Sequence, residues 1–154
     1  MTLYLLEKAV DQLYSYLSAN IVAKIAALNL RYPDDTLGGI STWYKGSLPI
    51  VTPANPSISI HATDLVPVQR MGSTLQVSNG ISIVIIIGSD VVEKRFRRLC
   101  RYTIGILELL QTGEATIGYK IKLSDRISLT ETMATPPFLQ GVIIPIVLDQ
   151  IETY

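Results

Sequence analysis

The clearest hydrophobic pattern lies near the middle of the chain, where a strand leads directly into a helix. Residues 81–88 read ISIVIIIG, so both faces of the predicted β-strand are apolar, and such a strand is covered on both sides. Apolar residues then recur at helical spacing, Phe96 among them, and predict a helix that packs on the sheet. Asp90 and Glu93 have the spacing of a capping box, and Gly113 is the predicted stop.

The N-terminus carries a second helical pattern. Apolar residues step by three or four positions through residues 3–28, while the charged residues fall mostly on the opposite side. Pro33 follows this pattern and predicts its end, because proline disfavours the helical conformation of the preceding residue and has no N–H to donate. We therefore predict an amphipathic helix over residues 3–28.

Two alternating segments before residue 81 predict strands. Residues 57–62 read SISIHA and alternate cleanly, and residues 74–78 alternate again. Asn79-Gly80 is the preferred dipeptide of a type I′ turn, so we predict a β-hairpin that turns at these two residues.

Two further strands are predicted after the second helix. Residues 116–123 alternate between apolar and polar positions and predict a half-buried strand. Residues 140–151 are apolar on both faces but contain Pro145, which cannot donate to a sheet ladder. This last strand is therefore predicted to lie at a sheet edge, or to turn the proline nitrogen outward.

These elements together predict the fold class. We expect an α+β fold, a single domain over residues 1–154, in which a mainly antiparallel β-sheet packs against two long amphipathic helices. A long Gly- and Pro-rich loop over residues 34–56 separates the first helix from the sheet and second helix, which occupy residues 57–154. The loop contains the only tryptophan, Trp43, next to Tyr44. This pair predicts either a contact with another molecule or an anchor against its own sheet.

The composition indicates more apolar surface than one small domain needs. Hydrophobic residues make up 48% of the chain and charged residues only 17%, against about 25% in ordinary domains. No apolar run approaches the roughly 20 residues that span a bilayer, so we predict no membrane segment and expect burial between subunits. An apolar edge strand needs such cover. The predicted interface residues are Trp43, Tyr44, Val142, Ile144, Ile146 and Leu148.

The charges balance over the whole chain but cluster in the second helix. Formal net charge is zero, which does not favour a nucleic-acid-binding protein. Five basic residues nevertheless lie between positions 94 and 101, and Lys94, Arg97, Arg98 and Arg101 share one helical face. This basic face has three interpretations: a phosphate-binding surface, a solvated helix face, or a partner for carboxylates on another subunit.

Motifs for catalysis are not apparent in the sequence. His61 is the single histidine and Cys100 the single cysteine, which is too few for a metal-ligand set. We interpret His61 as a surface or interface residue and Cys100 as a small apolar side chain. Gly38-Gly39 lacks the Lys-Ser/Thr and the strand and helix of a phosphate-binding loop. We predict no enzyme, metal or cofactor.

The order of these elements, from the N-terminal helix through TLQVSNGISIVIIIG and VVEKRFRRLCRYTIGILELLQ to QGVIIPIVLDQI, resembles the tail terminator (tail-completion) proteins of long-tailed bacteriophages. The resemblance covers essentially the whole chain but rests on element order and size, not on a diagnostic motif. It implies a hexameric ring that caps the tail tube at the head–tail junction of the virion, after assembly in the host cytoplasm. The implied partners are further copies of itself, the tail tube protein and a neck, stopper or connector protein. It implies no catalysis.

Two other functions stay open from the sequence. The chain could be another neck component, such as a head-completion stopper or adaptor, which would bind the portal side. It could instead be a nucleic-acid-binding module that uses the basic face, and even in a ring this face could contact the phage DNA non-specifically.

Overall fold

Two long helices pack together against one face of a six-stranded sheet. The computed structural model describes residues 2–46, 56–88, 92–123, 125–130 and 139–153. In chain order the elements are α1 (Thr2–Arg31), β1 (Thr42–Lys45), β2 (Ser57–Met71), β3 (Thr74–Gly88), α2 (Val92–Ile117), β4 (Lys120–Leu123), β5 (Ser128–Leu129) and β6 (Leu139–Thr153).

The sheet is open and mixed. Its strand order is β1-β2-β3-β6-β4, and β5 also pairs with β6. β1 is parallel to β2, and the other pairings are antiparallel. The predicted α+β class, with a mainly antiparallel sheet against two helices, is confirmed. The short strands β1 and β5 were not predicted.

The core lies between the helices and the sheet, where the sequence patterns predicted it. The four alternating isoleucines of β3, from Ile81 to Ile87, are buried. So is the predicted stripe of α1, which consists of Val10, Leu13, Leu17, Ile21, Ile25 and Leu28. Leu99 and Ile106 of α2 are buried in the same cluster. The 3.6-residue and two-residue periods therefore identified the faces that meet.

The predicted hairpin turn is wrong. Asn79 and Gly80 lie inside β3, opposite Leu65 and Asp64 of β2, and the chain turns instead at Gly72-Ser73. Gly72 has a positive φ of 59°, which glycine adopts without strain. A Cβ at Gly80 would overlap the Asp64 carboxylate, so this glycine permits a close approach within the sheet.

The second helix continues past its predicted stop. Gly113 lies within α2, where its missing side chain leaves room for the ring of Tyr16 on α1. The helix ends at Ile117, and Gly118 follows with a positive φ of 83°. The predicted strand over residues 116–123 is thus shortened to β4. The predicted cap, Asp90, lies outside the described residues.

β6 is an interior strand of the sheet, which corrects the predicted edge position. β3 pairs with one side of it along its whole length, and β4 and β5 pair with the other side. Pro145 lies opposite Ser82 of β3 and in the interval between the β4 and β5 pairings. Among the described residues, the short flanking strands thus supply no partner for the proline position on that side.

The segment predicted as one long loop is ordered in its first part. Asn29 exchanges two hydrogen bonds with the backbone of Leu37, at 2.7 and 3.0 Å, which hold this connection against the end of α1. β1 then pairs with β2, so Trp43 and Tyr44 lie in a strand and not in a loop. Residues 47–55 lie outside the described part of the chain.

Beyond the core, three strands continue as a ribbon, defined here as residues 63–80 and 149–153. The buried core cluster reaches Ile81 on β3 and Leu148 on β6 but includes no residue of the ribbon. β2 has two irregularities in its pairing here, between Ala62 and Asp64 and between Pro67 and Gln69. Bulges and a proline reduce the ability of an edge strand to pair with another chain.

Candidate functional site

The basic face of α2 binds a turn of the same chain. Arg98 donates from Nε and from its terminal nitrogen to the two carboxylate oxygens of Asp35, both at 2.8 Å. Asp35 lies four residues after the last residue of α1, and its side chain is nearly buried. This two-point pairing fixes the guanidinium and the carboxylate in one plane.

A second pairing lies beside the first. Arg101 donates to both oxygens of Asp34, at 2.7 and 2.9 Å, and to the backbone carbonyl of Asp35 at 3.1 Å. Its guanidinium also lies 4.8 Å from the ring centre of Tyr32. We call Asp34, Asp35, Arg98 and Arg101 the ion-pair cluster.

Electrostatics in this region favour the paired state. The hydrogen bond from Arg98 lowers the pKa of Asp35, and the same bond raises the pKa of Arg98. Nearby, burial raises the pKa of Tyr102 to about 12, and its hydroxyl donates to the carbonyl of Gly38 at 2.6 Å. Arg98 and Arg101 therefore pair with carboxylates of their own chain, an arrangement that none of the three interpretations of the basic face had named.

The rest of the basic face is more exposed. Arg97 reaches Asp34 at 3.2 Å and Lys94 lies 4.0 Å from Asp35, and both side chains are about half exposed. Lys94, Arg97, Arg98 and Arg101 are thus brought together as predicted, with two of them committed to ion pairs that hold the α1–β1 connection on α2.

The predicted aromatic pair is divided between the two faces of the sheet. Trp43 shares the helix-facing side with its partner Ile58, and its ring meets that of Tyr14 edge-on with centroids 5.7 Å apart. Tyr44 alternates to the other side and is half-buried. Trp43 therefore anchors β1 to α1, which was one of the two interpretations that the sequence left open.

The four predicted interface residues of β6 are core residues. They share the helix-facing side of the sheet and are buried: Val142, Ile144, Ile146 and Leu148. The prediction of an interface role is corrected here, because it depended on β6 being an edge strand. In the interior of the sheet their apolar side chains contact the subunit's own helices.

The outward face of α1 is an apolar surface that the sequence analysis missed. Along the second half of the helix it contains no charged residue, and Val22 and Leu30 are 71% and 86% exposed. The one lysine in this half, Lys24, turns aside to bind Glu108 at 3.0 Å. We call this surface the α1 face; its residues are Ala19, Val22, Ala23, Ala26 and Leu30. A helix that is apolar on all sides is usually buried.

A second apolar surface lies on the ribbon. Met71 and Ile151 line one shallow depression together with Gln76, and Ile151 is 69% exposed. Val66 lies on the same side of the sheet. Its cross-strand partner is Ser78, which is two residues from Gln76 on β3 and therefore points to the same side as Gln76. Val68, at a break in the pairing, is also exposed. We call Val66, Met71 and Ile151, which share one side of the sheet, together with the adjacent exposed Val68, the ribbon patch.

Phe96 adds an exposed aromatic ring on α2. It was predicted on the buried stripe of the helix but is 48% exposed, while its neighbour Arg95 is buried. Phe96 instead lines a groove with Tyr32, Cys100 and Ile104. Arg95 and Phe96 are adjacent on the helix, and a small rotation of the helix about its axis decides which of the two faces the core. The spacing of apolar residues does not specify that rotation closely enough to choose between them.

Residues with catalytic potential do not assemble in the described ranges. His61 lies opposite Ser82 in the sheet, and burial raises the pKa of the half-buried Cys100, which makes the thiol a poorer nucleophile. Among the residues that the structure describes, no group of histidine, cysteine and acidic side chains could hold a metal ion. Neither helix, over its described residues, is long and apolar enough to cross a membrane.

Comparisons with protein-family models and with curated proteins found no match to this chain.

Proposed function

We propose that this protein is a structural virion subunit that forms a hexameric ring on the end of a phage tail tube. The ring stops polymerisation of the tube and joins the tail to the neck at the head–tail junction. The observation that carries the proposal is the presence of two separate apolar surfaces, the α1 face and the ribbon patch. Two different surfaces on one subunit are what a head-to-tail assembly uses, and such contacts form a ring when the rotation between neighbouring subunits closes.

The chemistry of the basic face supports a structural role over nucleic-acid recognition. Arg98 and Arg101 hold the Asp34-Asp35 turn, and an arginine in a two-point pair with a carboxylate is less available to a phosphate. The zero net charge points the same way, because nucleic-acid affinity depends on phosphate neutralisation. The proposed role needs no catalysis, metal or cofactor.

Native mass spectrometry of the purified chain, alone and mixed with tail tube protein, tests the proposal. We expect a six-fold multiple of the 17.0 kDa subunit that binds the tube protein. Tube polymerisation should stop when the ring is added. A chain that stays monomeric at millimolar concentration, both alone and with tube protein, would refute the ring. Selective binding to portal or stopper protein would assign the chain to another part of the neck.

A further inference from the structure

We infer that the two apolar surfaces are the two sides of one contact, in which the ribbon patch of one copy lies on the α1 face of the next. The inference rests on the proposed ring and specifies its subunit contact. Both surfaces belong to the described residues and neither is covered by another described element.

The shapes of the two surfaces are complementary. Three of the five residues of the α1 face are alanines, so another molecule can approach the helix backbone closely along a shallow groove. The ribbon patch instead presents large side chains, among them Met71 and Ile151, on a surface three strands wide. Large side chains that fill the space above small ones give the close packing that stable interfaces need.

The area favours a sheet over a second helix as the occupant. From the exposed fractions, each surface offers on the order of 400 Å² of apolar area, within the range of functional patches on single subunits. Joining the two buries about 800 Å² of apolar surface, and a polar rim brings the total near the roughly 1,200 Å² of a stable interface. Two crossing α1 helices would touch over only part of this length, because packed helices diverge from their crossing point.

Charge favours a head-to-tail over a two-fold contact. Around the C-terminal end of α1 and the part of α2 up to Glu108 there are seven basic residues and four carboxylates. The ribbon has the opposite balance, with three carboxylates, Asp64, Asp149 and Glu152, and one basic residue, Arg70. A two-fold contact through the α1 face would bring two basic ends together, whereas a head-to-tail contact brings opposite charges together.

The side chains of the ribbon patch, and not its free strand edge, make this contact. The edge of β2 beyond Ala62 is interrupted at Thr63 and Val68 and contains Pro67. These features oppose the addition of another strand. The exposed face of the ribbon remains available, and its hydrogen bonds are internal to the sheet.

Two complementary variants test the contact. Val22→Glu with Ala26→Lys blocks the α1 face and adds a favourable pair at helical spacing. Met71→Glu with Ile151→Lys blocks the ribbon patch. Each variant keeps the net charge of the chain. Leu129→Gln is the matched control, because Leu129 is also exposed but lies on β5, outside both surfaces. Far-UV circular dichroism and the Tm establish that each variant is folded.

Native mass spectrometry should give monomers for each blocked variant and wild-type assembly for Leu129→Gln. A mixture of the two blocked variants should form a one-to-one dimer and nothing larger, since each contributes one intact side of a single contact. The contact is refuted if the mixture stays monomeric, if either variant assembles like the wild type, or if one variant forms dimers alone. A wild-type hexamer with unaffected variants would refute this contact and leave the ring intact. A wild-type monomer, alone and with tube protein, would refute both.

Discussion

The two halves of β3 belong to one continuous strand but are stabilised in different ways. From Ile81 to Ile87 the strand lies under the helices, and every second side chain is buried in the core. From Thr74 to Gly80 it lies in the ribbon, between the irregular edge of β2 and the end of β6. The same backbone pairing thus supports the core cluster in one half, whereas in the other half Val77 and Asn79 are buried outside that cluster and the remaining side chains are half-buried.

Polar contacts replace core packing in the ribbon half. The amide of Asn79 donates to the side-chain oxygen of Gln150 at 3.2 Å, and both residues are buried. On the other side of the strand, the Ser78 hydroxyl donates to Asp149 at 2.6 Å, and Lys122 binds the same carboxylate at 3.0 Å. Hydrogen bonds of this kind fix the register of a strand but contribute less stability than apolar burial.

The largest expected effect is the difference between a core residue of β3 and an exposed residue of the neighbouring ribbon strand β2. Ile83→Ala should reduce the free energy of unfolding by about 3 kcal/mol, because Ile83 is fully buried and truncation leaves a cavity. Val66→Ala in the ribbon should change it by less than about 0.5 kcal/mol, since Val66 is half exposed. Urea unfolding followed by circular dichroism measures both values. Similar losses for the two variants would show that the ribbon is part of the core.

The close packing of α1 against α2 should give the next largest effect. A Cβ at Gly113 would lie 2.5 Å from the Tyr16 ring. We therefore expect Gly113→Ala to destabilise the protein by about 1–2 kcal/mol, although alanine normally favours a helix by about 1 kcal/mol over glycine. In a Tyr16→Ala background the same substitution should be neutral or stabilising. Thermal unfolding of the wild type, the two single variants and the double variant measures these effects. An equal loss of stability in both backgrounds would show that Gly113 and Tyr16 do not pack against each other.

The ion-pair cluster should contribute about as much as the helix packing. Asp35→Asn should cost about 1–2 kcal/mol, because it removes the charge-assisted bonds from Arg98 at a nearly buried position. Arg97→Gln is the matched control, with a single contact at 3.2 Å and a half-exposed side chain, and should cost less than about 0.5 kcal/mol. Chemical denaturation measures both, and equal values would place Asp35 among ordinary surface ion pairs.

Acid sensitivity should be the smallest effect, and it should come from the helix layer more than from the ribbon. Hydrogen bonds from Arg31 and Lys24 lower the pKa of Glu108 to about 2, and the pKa values of Asp35 and Asp149 are also lowered. A lowered folded-state pKa stabilises the protein above the unfolded-state pKa of about 4, and this stabilisation is lost as pH falls through the folded-state value.

These three carboxylates stay ionised above about pH 5, so we expect them to cause little change in the Tm there. The Tm should fall as the pH is lowered from about 4 to 2. Glu108→Gln should reduce this fall more than Asp149→Asn, since two cationic side chains donate to Glu108 and lower its pKa to about 2, whereas Asp149 accepts from one cation, Lys122, and from the neutral Ser78 hydroxyl. Melting curves across this range measure the difference. A Tm that rises on acidification would contradict the pairings.

Much of the fold could be predicted because it depends on local periodicity. The buried face of α1, the isoleucine face of β3 and the α+β class follow from which side chains alternate or recur, and the chain cannot bury them otherwise. The basic face was predicted for the same reason. Its carboxylate partners were not, because Asp34 and Asp35 lie more than sixty residues from Arg98 and Arg101. A pattern among neighbouring residues cannot reveal a contact between residues so far apart in the sequence.

The sequence by itself determined which segments form helices and strands and which of their faces are apolar, since these are properties of neighbouring residues. Only the tertiary structure decided the neighbours of each face. It put β6 inside the sheet, which made Val142 to Leu148 part of the core, and it moved the hairpin turn from Asn79-Gly80 to Gly72-Ser73. It also left the α1 face and the ribbon patch uncovered. The physical reason is that strand order and side-chain contacts depend on the apolar area that segments distant in sequence bury against one another. That area cannot be calculated from any short segment alone.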